Sequence, residues 1–315
     1  MSLPFVEDLG HGVFAIDTGF HRPRFDASFL LVERGRAAFI DTGTNFAVPR
    51  LLAALHDLGL SPASVDHVIP THVHLDHAGG AGLLMQSLPQ AVLRVHPRGV
   101  RHLIDPAQLY QGALAVYGQA EMDSAYGRLL PVPAERVQAS HDGQVIELAG
   151  RPLVLIDTPG HARHHHCIWD ARSAGWFTGD TFGLSYREFD TAAGAWVMPS
   201  STPVQFDPVA LKHSIARLLA MAPTCIYLTH YGRVTDIPRL AGLLLVQIDA
   251  MVALAESLKA RPDRHSALKA GLSSLYQTQL QGHGVLDVPA GLAGLALDIE
   301  LNAQGLGIWL DRRAG

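Results

Sequence analysis

Four potential metal ligands lie within six residues of one another in a single short segment: His72, His74, Asp76 and His77. The segment follows residues 65–69, where three of five residues are β-branched and apolar, which predicts a strand. If the segment begins in an extended conformation, its first two imidazoles point to the same side, because side chains alternate along a strand. Desolvating three histidines beside an aspartate is costly unless they bind a cation. The cluster therefore predicts a metal site at the end of a strand.

Composition limits the classes of protein to which the chain can belong. It has 315 residues, of which 48% are hydrophobic and 17% charged, so it has enough apolar side chain for a packed core. The length suits one large domain, or one domain with an appendage. The 24 lysines and arginines against 29 aspartates and glutamates give a net charge of −5, and only three of the basic residues are lysines. We therefore expect a small-molecule substrate rather than nucleic acid.

The expected location of the protein follows from its cysteines and its apolar segments. Cys167 and Cys225 do not form a disulfide framework or a cysteine-based zinc site, so both are expected to be reduced. The N-terminus has no leader pattern, and the most apolar later stretch, 240–254, is interrupted by Gln247 and Asp249. We expect a cytoplasmic protein that does not enter a membrane.

Short apolar runs alternate with turn residues and with segments of helical spacing. In the first part, strands are predicted at 12–16, 28–32, 37–40, 65–69 and 91–95, and helices at 48–58 and 81–88. A second block repeats the pattern, with strands at 145–148, 153–156, 167–169, 176–178 and 225–229, and a helix at 208–221. The repetition predicts an α/β protein in which two packed sheets lie between helices, a four-layer αββα sandwich. A three-layer α/β fold stays open from periodicity alone.

The chain divides into a core and an appendage. Residues 1–235 are predicted to form the core, with a helical insert at about 104–130 that caps a site. Residues 236–315 are predicted to be a helical appendage that ends in a short β-hairpin. The hairpin is expected because residues 297–301 alternate in strand fashion and 302–305 suit a turn. It would complete its own sheet or pair across a homodimer.

Three further potential ligands, His161, Asp180 and His230, each follow a predicted strand. Together with the segment at 72–77, they match the order HxHxDH, His, Asp, His at all seven positions. In this pattern the chain resembles the metallo-β-lactamase-fold hydrolase superfamily, with its glyoxalase II-like and lactonase-like branches. The resemblance implies the αββα fold.

The resemblance also implies a binuclear centre. The first metal is expected to bind His72, His74 and His161, and the second Asp76, His77 and His230, with Asp180 bridging both. Zinc suits these donors, and iron or manganese suits them as well. We call the segment 72–77 the ligand loop. Asp41 matches an early aspartate of the family and is expected to orient this loop, although an ordinary turn aspartate is the alternative.

The reaction class implied is hydrolysis. Two cations lower the pKa of a bound water from about 15.7 towards ~7, which supplies a nucleophile without serine or cysteine. Asp76 is a candidate for moving the proton to the leaving group, and Asp180 for holding the centre. The bond is expected to be an ester, thioester or lactone of a small molecule.

The substrate is left open by the motif. Lactonases of this fold have a tyrosine three residues after the bridging aspartate, where this chain has Gly183. Tyr186 and Tyr231 are instead the candidates to contact a carbonyl or leaving group of the substrate. The basic binding motif of glyoxalase II is not recognisable. Aromatic residues of the insert would line an apolar pocket or pack as core.

Two other interpretations remain from the sequence. His164 and His166 would lie on one face of a strand and His165 on the other, so that one of the two faces could contact the site. The alternative functions are a mono-iron redox enzyme such as a persulfide dioxygenase, which keeps the first site alone, and a non-catalytic metal-binding protein.

Overall fold

The computed structural model describes residues 3–201 and 204–314, and within them the chain forms two sheets and a set of helices. The first sheet has its strands in chain order: β1 (Val6–Asp8), β2 (Val13–Asp17), β3 (Ala27–Glu33), β4 (Arg36–Ile40), β5 (Val65–Ile69), β6 (Val92–Val95) and β7 (Val137–Ala139). Strands β1 to β4 pair antiparallel, and β4 to β7 pair parallel. The buried parallel strands are the apolar runs that the sequence predicts.

The second sheet has the order β13-β12-β11-β10-β9-β8. Its strands are β8 (Gln144–Leu148), β9 (Arg151–Asp157), β10 (His166–Asp170), β11 (Gly175–Gly179), β12 (Cys225–Leu228) and β13 (Gly232–Val234). Strands β8 to β11 pair antiparallel, whereas β11 and β12 pair parallel. Both sheets are therefore mixed, and the strands predicted at 145–229 are confirmed.

The two sheets pack face to face through large apolar side chains. The ring of Phe29 on β3 lies 5.2 Å from that of Phe177 on β11 and 5.7 Å from that of Tyr227 on β12. These three residues belong to a buried cluster with side chains from both sheets. Burial of such aromatic surface is the main contribution that holds two sheets together.

Helices cover the outer face of the first sheet. They are α1 (Val48–Asp57), α2 (Leu75–Ala78), α3 (Ala81–Ser87) and α4 (Val100–Ile104). Leu51 and Leu55 of α1 and Leu84 of α3 are buried in one cluster with Phe39 of β4. The prediction of helices outside paired sheets is confirmed here.

The predicted insert is helical. It contains α5 (Ala107–Tyr117), α6 (Gln119–Glu121) and a π-helical turn at Met122–Tyr126. Tyr126 is buried, and its ring lies 5.3 Å from the ring of Phe20, which belongs to the loop between β2 and β3. The insert therefore packs against the β2–β3 loop.

The chain clusters into two compact units, and the sheets with helices α1–α6 belong to the first. The second contains the segments 158–163 and 180–222 together with the C-terminal region. Its helices are α7 (Pro208–Leu219), α8 (Ile237–Leu258), α9 (Arg264–His283), α10 (Val288–Gly294) and α11 (Ala296–Ala314). Helices α8, α9 and α11 pack on one another around the buried rings of Trp196 and Tyr276, whose centroids are 6.0 Å apart.

Helix α8 is long and apolar enough to cross a membrane by length and composition, with 39% of its most apolar window buried in the protein. Core helices have the same properties. Its buried residues, such as Leu244, Ile248 and Met251, recur at helical spacing.

The C-terminal β-hairpin predicted within 236–315 is wrong, because those residues belong to helix α11. The buried side chains Ile299, Ala303, Leu306 and Leu310 follow a spacing of three and four residues, which is helical. The alternation over 297–301 is too short to distinguish the two periods, and packing on α8 and α9 selects the helix. The expectation that a hairpin pairs across a dimer loses its basis.

Candidate metal centre

The ligand loop begins where β5 ends. His72 is fully buried, and its Nε2 lies 2.8 Å from Nδ1 of His74. The backbone at His74 is extended, with φ −64° and ψ 153°. The two imidazoles therefore lie on the same side, as alternation along an extended segment predicts.

Asp76 and His77 lie on the short helix α2 and meet a residue from the other sheet. Oδ2 of Asp76 is 3.7 Å from Nε2 of His77 and 3.2 Å from Nε2 of His230, which follows β12. The side chain of Asp76 is 22% exposed, whereas the two histidines are buried. The sequence places these three residues together as ligands of one metal, and the structure brings them together.

The histidines of this group carry their protons on the nitrogen that faces away from Asp76. Nδ1 of His77 donates to Oδ2 of Asp41 over 2.8 Å, and Nδ1 of His230 donates to the backbone carbonyl of Phe25, also over 2.8 Å. A ring that is protonated at Nδ1 alone presents the lone pair of Nε2 to the space beside Asp76. Nε2 is one of the two nitrogens through which histidine binds metals.

Asp41 links the parts of the centre that lie in different elements. Its carboxylate accepts hydrogen bonds from the backbone N–H of Thr71 at 2.6 Å, from the hydroxyl of Thr71 at 3.0 Å and from the hydroxyl of Thr229 at 2.7 Å. With His77, these contacts hold the ligand loop and the end of β12 on one buried carboxylate. The predicted contact between Asp41 and the ligand loop is confirmed.

His161 and Asp180 lie in the two segments that continue β9 and β11. Nε2 of His161 is 3.5 Å from Oδ2 of Asp180, and Nδ1 of His161 donates to the backbone carbonyl of Ser200 over 3.2 Å. His161 therefore has the same tautomer as His77 and His230. Both side chains are buried.

Ligand atoms of Asp76, His77 and His230, which all belong to the first compact unit, lie within 4.8 Å of one another. Imidazole nitrogens with carboxylate oxygens suit zinc, iron and manganese. The residues present therefore fit a metal centre, with the donor chemistry that the sequence predicts.

Gly179 allows β11 to approach the ligand loop. It has φ +46°, and a Cβ atom there would lie 2.4 Å from Oγ1 of Thr71 and 2.7 Å from Nε2 of His165. A side chain at this position would displace both neighbours. The sequence analysis did not single out Gly179, since a glycine beside an aspartate has no chemical signature.

The alternation predicted for His164, His165 and His166 is wrong, because β10 begins at His166 and the first two residues precede it. The ring of His165 stacks on that of His72 at 4.8 Å, and the ring of His164 lies 5.5 Å from that of His74. His166 instead contacts the backbone carbonyl of Pro70 at 2.8 Å, and burial lowers its pKa to about 4. His164 and His165 thus contact the predicted ligands, and His166 holds the preceding turn.

Both candidate tyrosines are buried, with contacts that favour structural roles. The hydroxyl of Tyr186 donates to Oδ1 of Asp298 on α11 over 3.1 Å. Tyr231 belongs to the apolar cluster between the sheets, and burial raises the pKa of its hydroxyl to about 12. Their predicted contact with substrate remains a prediction.

A buried carboxyl that the sequence analysis missed lies near the centre. Asp26 is fully buried, and its Oδ2 accepts a hydrogen bond from the hydroxyl of Thr18 over 2.6 Å. Burial raises the pKa of Asp26 to about 7, while His230 and His77 act in the opposite direction. Asp26 lies in an irregular loop, where no periodicity marks it as buried.

Comparison with known proteins identifies the fold. The profile of the metallo-beta-lactamase superfamily matches residues 21–230. The crystal structure of TTHA1429 from Thermus thermophilus, described as a metallo-beta-lactamase family protein, superposes with a TM-score of 0.68 at 19% identity and covers 98% of this chain and 95% of that one. The crystal structure of ST1585 from Sulfolobus tokodaii superposes with a TM-score of 0.63 at 25% identity, over 76% of this chain and 86% of that one.

Alignments with curated relatives cover only part of each protein. This chain is 27% identical to ST1585 of Sulfurisphaera tokodaii, over 54% of this chain and 62% of that protein. It is 31% identical to an atrochrysone carboxyl ACP thioesterase of Aspergillus fumigatus, over 49% and 39%. It is 30% identical to a hydroxyacylglutathione hydrolase of Xanthomonas euvesicatoria, over 58% and 61%. The alignment with each of these three spans less than two thirds of the relative.

Proposed function

The chain belongs to the metallo-β-lactamase superfamily, and we propose that it is a binuclear metal-dependent hydrolase of a small ester, thioester or lactone. The observation that carries the proposal is the shared tautomer of His77, His161 and His230. Each ring donates its Nδ1 proton to a fixed acceptor and so presents Nε2 beside a carboxylate. Fixing the ligands before binding lowers the cost of assembling the centre.

The residues of the site would have different roles. A metal bound here would lower the pKa of water to ~7 and polarise the scissile carbonyl. His72, His74 and His161 would hold one cation, and Asp76, His77 and His230 the other, with Asp180 shared. Buried imidazoles exclude bulk water from the ligand side, while Asp41 keeps His77 in the required orientation.

Asp76 is the residue best placed to move a proton. Its side chain is partly exposed, and its Oδ2 lies 3.2 Å from Nε2 of His230. Asp76 would help to hold a cation with His77 and His230, and its carboxylate would receive a proton from the attacking water and pass it to the leaving group. The proton is then held at a carboxylate oxygen at the open side of the centre.

The choice of a carbonyl bond rests on two relatives. The thioesterase of Aspergillus fumigatus and the hydroxyacylglutathione hydrolase of Xanthomonas euvesicatoria are named for thioester substrates. The net charge of −5 argues against a polyanionic substrate. A thioester is therefore the first bond to test.

The test is proton release in a pH-stat by protein of measured metal content, with lactones, acyl esters, a glutathione thioester and a phosphodiester as substrates. The variant Asp180→Asn removes a predicted ligand, and Asp190→Asn is the matched control on the same segment, where the side chain pairs with Arg187. We expect chelator-sensitive hydrolysis of one carbonyl substrate, which falls at least about 100-fold in Asp180→Asn and is retained in the control.

Other outcomes would overturn the proposal. Absence of turnover across the panel with two metals bound per chain would indicate a non-catalytic metal protein. One iron per chain, with consumption of oxygen on a persulfide, would indicate the redox enzyme that uses the first site alone.

A further inference from the structure

A cavity of about 330 Å³ lies between the β2–β3 loop and the helical insert. Phe20 and His21 of the loop form one wall, Glu121 at the end of α6 forms another, and Phe46 lies at the rim. Phe46 is 56% exposed, which is unusual for a large apolar side chain. This volume is enough for a short acyl group with a polar end.

Two contacts connect this cavity to the second group of ligands. The ring of Phe25 lies 5.3 Å from the ring of His21 and 5.5 Å from the ring of His230. On the other side, the lining residue Thr44 is two positions after Thr42, whose backbone N–H donates to the carbonyl of His77 over 2.7 Å. The cavity therefore lies one aromatic ring away from His230.

The ionisable residues that line the cavity are one histidine and one glutamate. Nε2 of His21 and Oε1 of Glu121 are 3.6 Å apart. Burial is the main cause that lowers the pKa of His21, which favours its neutral imidazole. Two cations lie close to the lining: the guanidinium of Arg22 lies over the ring of Phe25 at 4.5 Å, and that of Arg50, next to Gly19, is 3.8 Å from the carboxylate of Asp17. Among the lining residues, Glu121 is therefore the one whose carboxylate can attract a cation.

The rings of Phe20 and Phe46 line the cavity together with the carboxylate of Glu121. The ring of Phe20 lies 4.0 Å from the ring of His21, and Phe46 provides a further exposed ring at the rim. A carboxylate beside aromatic rings is the arrangement that binds ammonium groups, through Coulomb attraction and the quadrupoles of the rings. The same arrangement repels the carboxylates of anionic substrates.

We propose that this cavity selects acyl substrates that bear an ammonium group, with Glu121 as the residue that determines specificity. The proposal rests on the hydrolase function proposed above. It places the cationic end of the acyl group between Glu121 and the rings of Phe20 and Phe46. The scissile carbonyl then lies towards Asp76 and His230.

The test compares thioesters that share one leaving group, N-acetylcysteamine, and differ in the end of the acyl chain. The acyl groups are 4-(trimethylammonio)butyryl, its neutral isostere 5,5-dimethylhexanoyl, glutaryl and acetyl. We expect kcat/KM for the cationic chain to exceed that for glutaryl by at least about tenfold. The variant Glu121→Gln should abolish this ratio. Glu135→Gln, at an exposed position outside the cavity, should retain the ratio.

A direct binding measurement separates this proposal from the hydrolase function. Saturable binding of tetramethylammonium, observed by NMR of the ligand and weakened at least about fivefold in Glu121→Gln, would support the cavity even if no thioester were hydrolysed. Metal-dependent hydrolysis with equal kcat/KM for all the longer chains would overturn the proposal and leave the hydrolase function in place. Absence of saturable tetramethylammonium binding would also overturn it.

Discussion

Oδ2 of Asp41 accepts a hydrogen bond from Nδ1 of His77 over 2.8 Å, and neither side chain is exposed to solvent. The same carboxylate holds Thr71 and Thr229, so one buried charge connects the ligand loop to the opposite sheet. Asp41 has φ +56°, a conformation that aspartate and asparagine tolerate better than other non-glycine residues. The geometry of the centre therefore depends on a residue that is not itself a predicted ligand.

Replacing Asp41 by asparagine tests this dependence. Asparagine keeps the backbone conformation but replaces one carboxylate oxygen by an amide N–H₂, so either Thr71 N–H or the pair His77 and Thr229 loses its acceptor. We expect zinc affinity, measured by competition with a chromophoric chelator, to fall about 10- to 100-fold. Asp236→Asn, also at a left-handed position with φ +59°, is the control and should bind zinc as wild type. Equal affinity in both variants would contradict the role of Asp41.

Gly179→Ala tests the close approach of β11 to Thr71. The added methyl group would lie 2.4 Å from Oγ1 of Thr71, so the loop must shift. We expect the free energy of unfolding, from urea titration, to fall by about 2–4 kcal/mol and zinc binding to weaken. Gly10→Ala is the matched control, since it also has a positive φ but no atom within 4 Å, and should cost about 1 kcal/mol. Similar losses in the two variants would show that backbone strain alone is responsible.

Tyr186→Phe distinguishes a structural hydroxyl from a catalytic one. The hydroxyl donates to Asp298, so its removal leaves a buried carboxylate with one donor fewer. We expect a loss of about 1–3 kcal/mol in the free energy of unfolding and an unchanged kcat/KM on a confirmed substrate. A fall in kcat with unchanged stability would instead support contact between Tyr186 and the substrate.

Asp26→Asn tests a buried carboxyl through the pH dependence of stability. Burial raises the pKa of Asp26 to about 7 in the folded state, against about 4 in an unfolded chain. Between these values the folded state binds more protons than the unfolded state, so this residue makes wild-type stability decrease as pH rises. Asparagine keeps an acceptor for Thr18 and does not titrate. We expect the stability of the variant relative to wild type to increase by roughly 2–3 kcal/mol from pH 5 to pH 8, in urea titrations of metal-free protein. Parallel curves would contradict the raised pKa.

The strands around the ligands were predictable because each combines apolar side chains with a turn. Residues 37–40 are too uniformly apolar for one face to be wet, and they are buried in β4. Helix α11 was not predictable over residues 297–301, since five alternating residues fit both a strand and one face of a helix. Contacts of α11 with α8 and α9, distant in sequence, decide between them.

The sequence by itself determined the order of the ligand residues and the strand ends on which they lie, because both depend on local spacing. Only the tertiary structure decided which nitrogen of each histidine faces the centre, since the acceptors on Asp41, Phe25 and Ser200 come from other parts of the chain. It also decided the surroundings of Asp26, Gly179 and Glu121, which carry no local pattern. Burial and close contact arise when distant segments pack together. They set the pKa of Asp26, the space around Gly179 and the surroundings of Glu121 in the cavity.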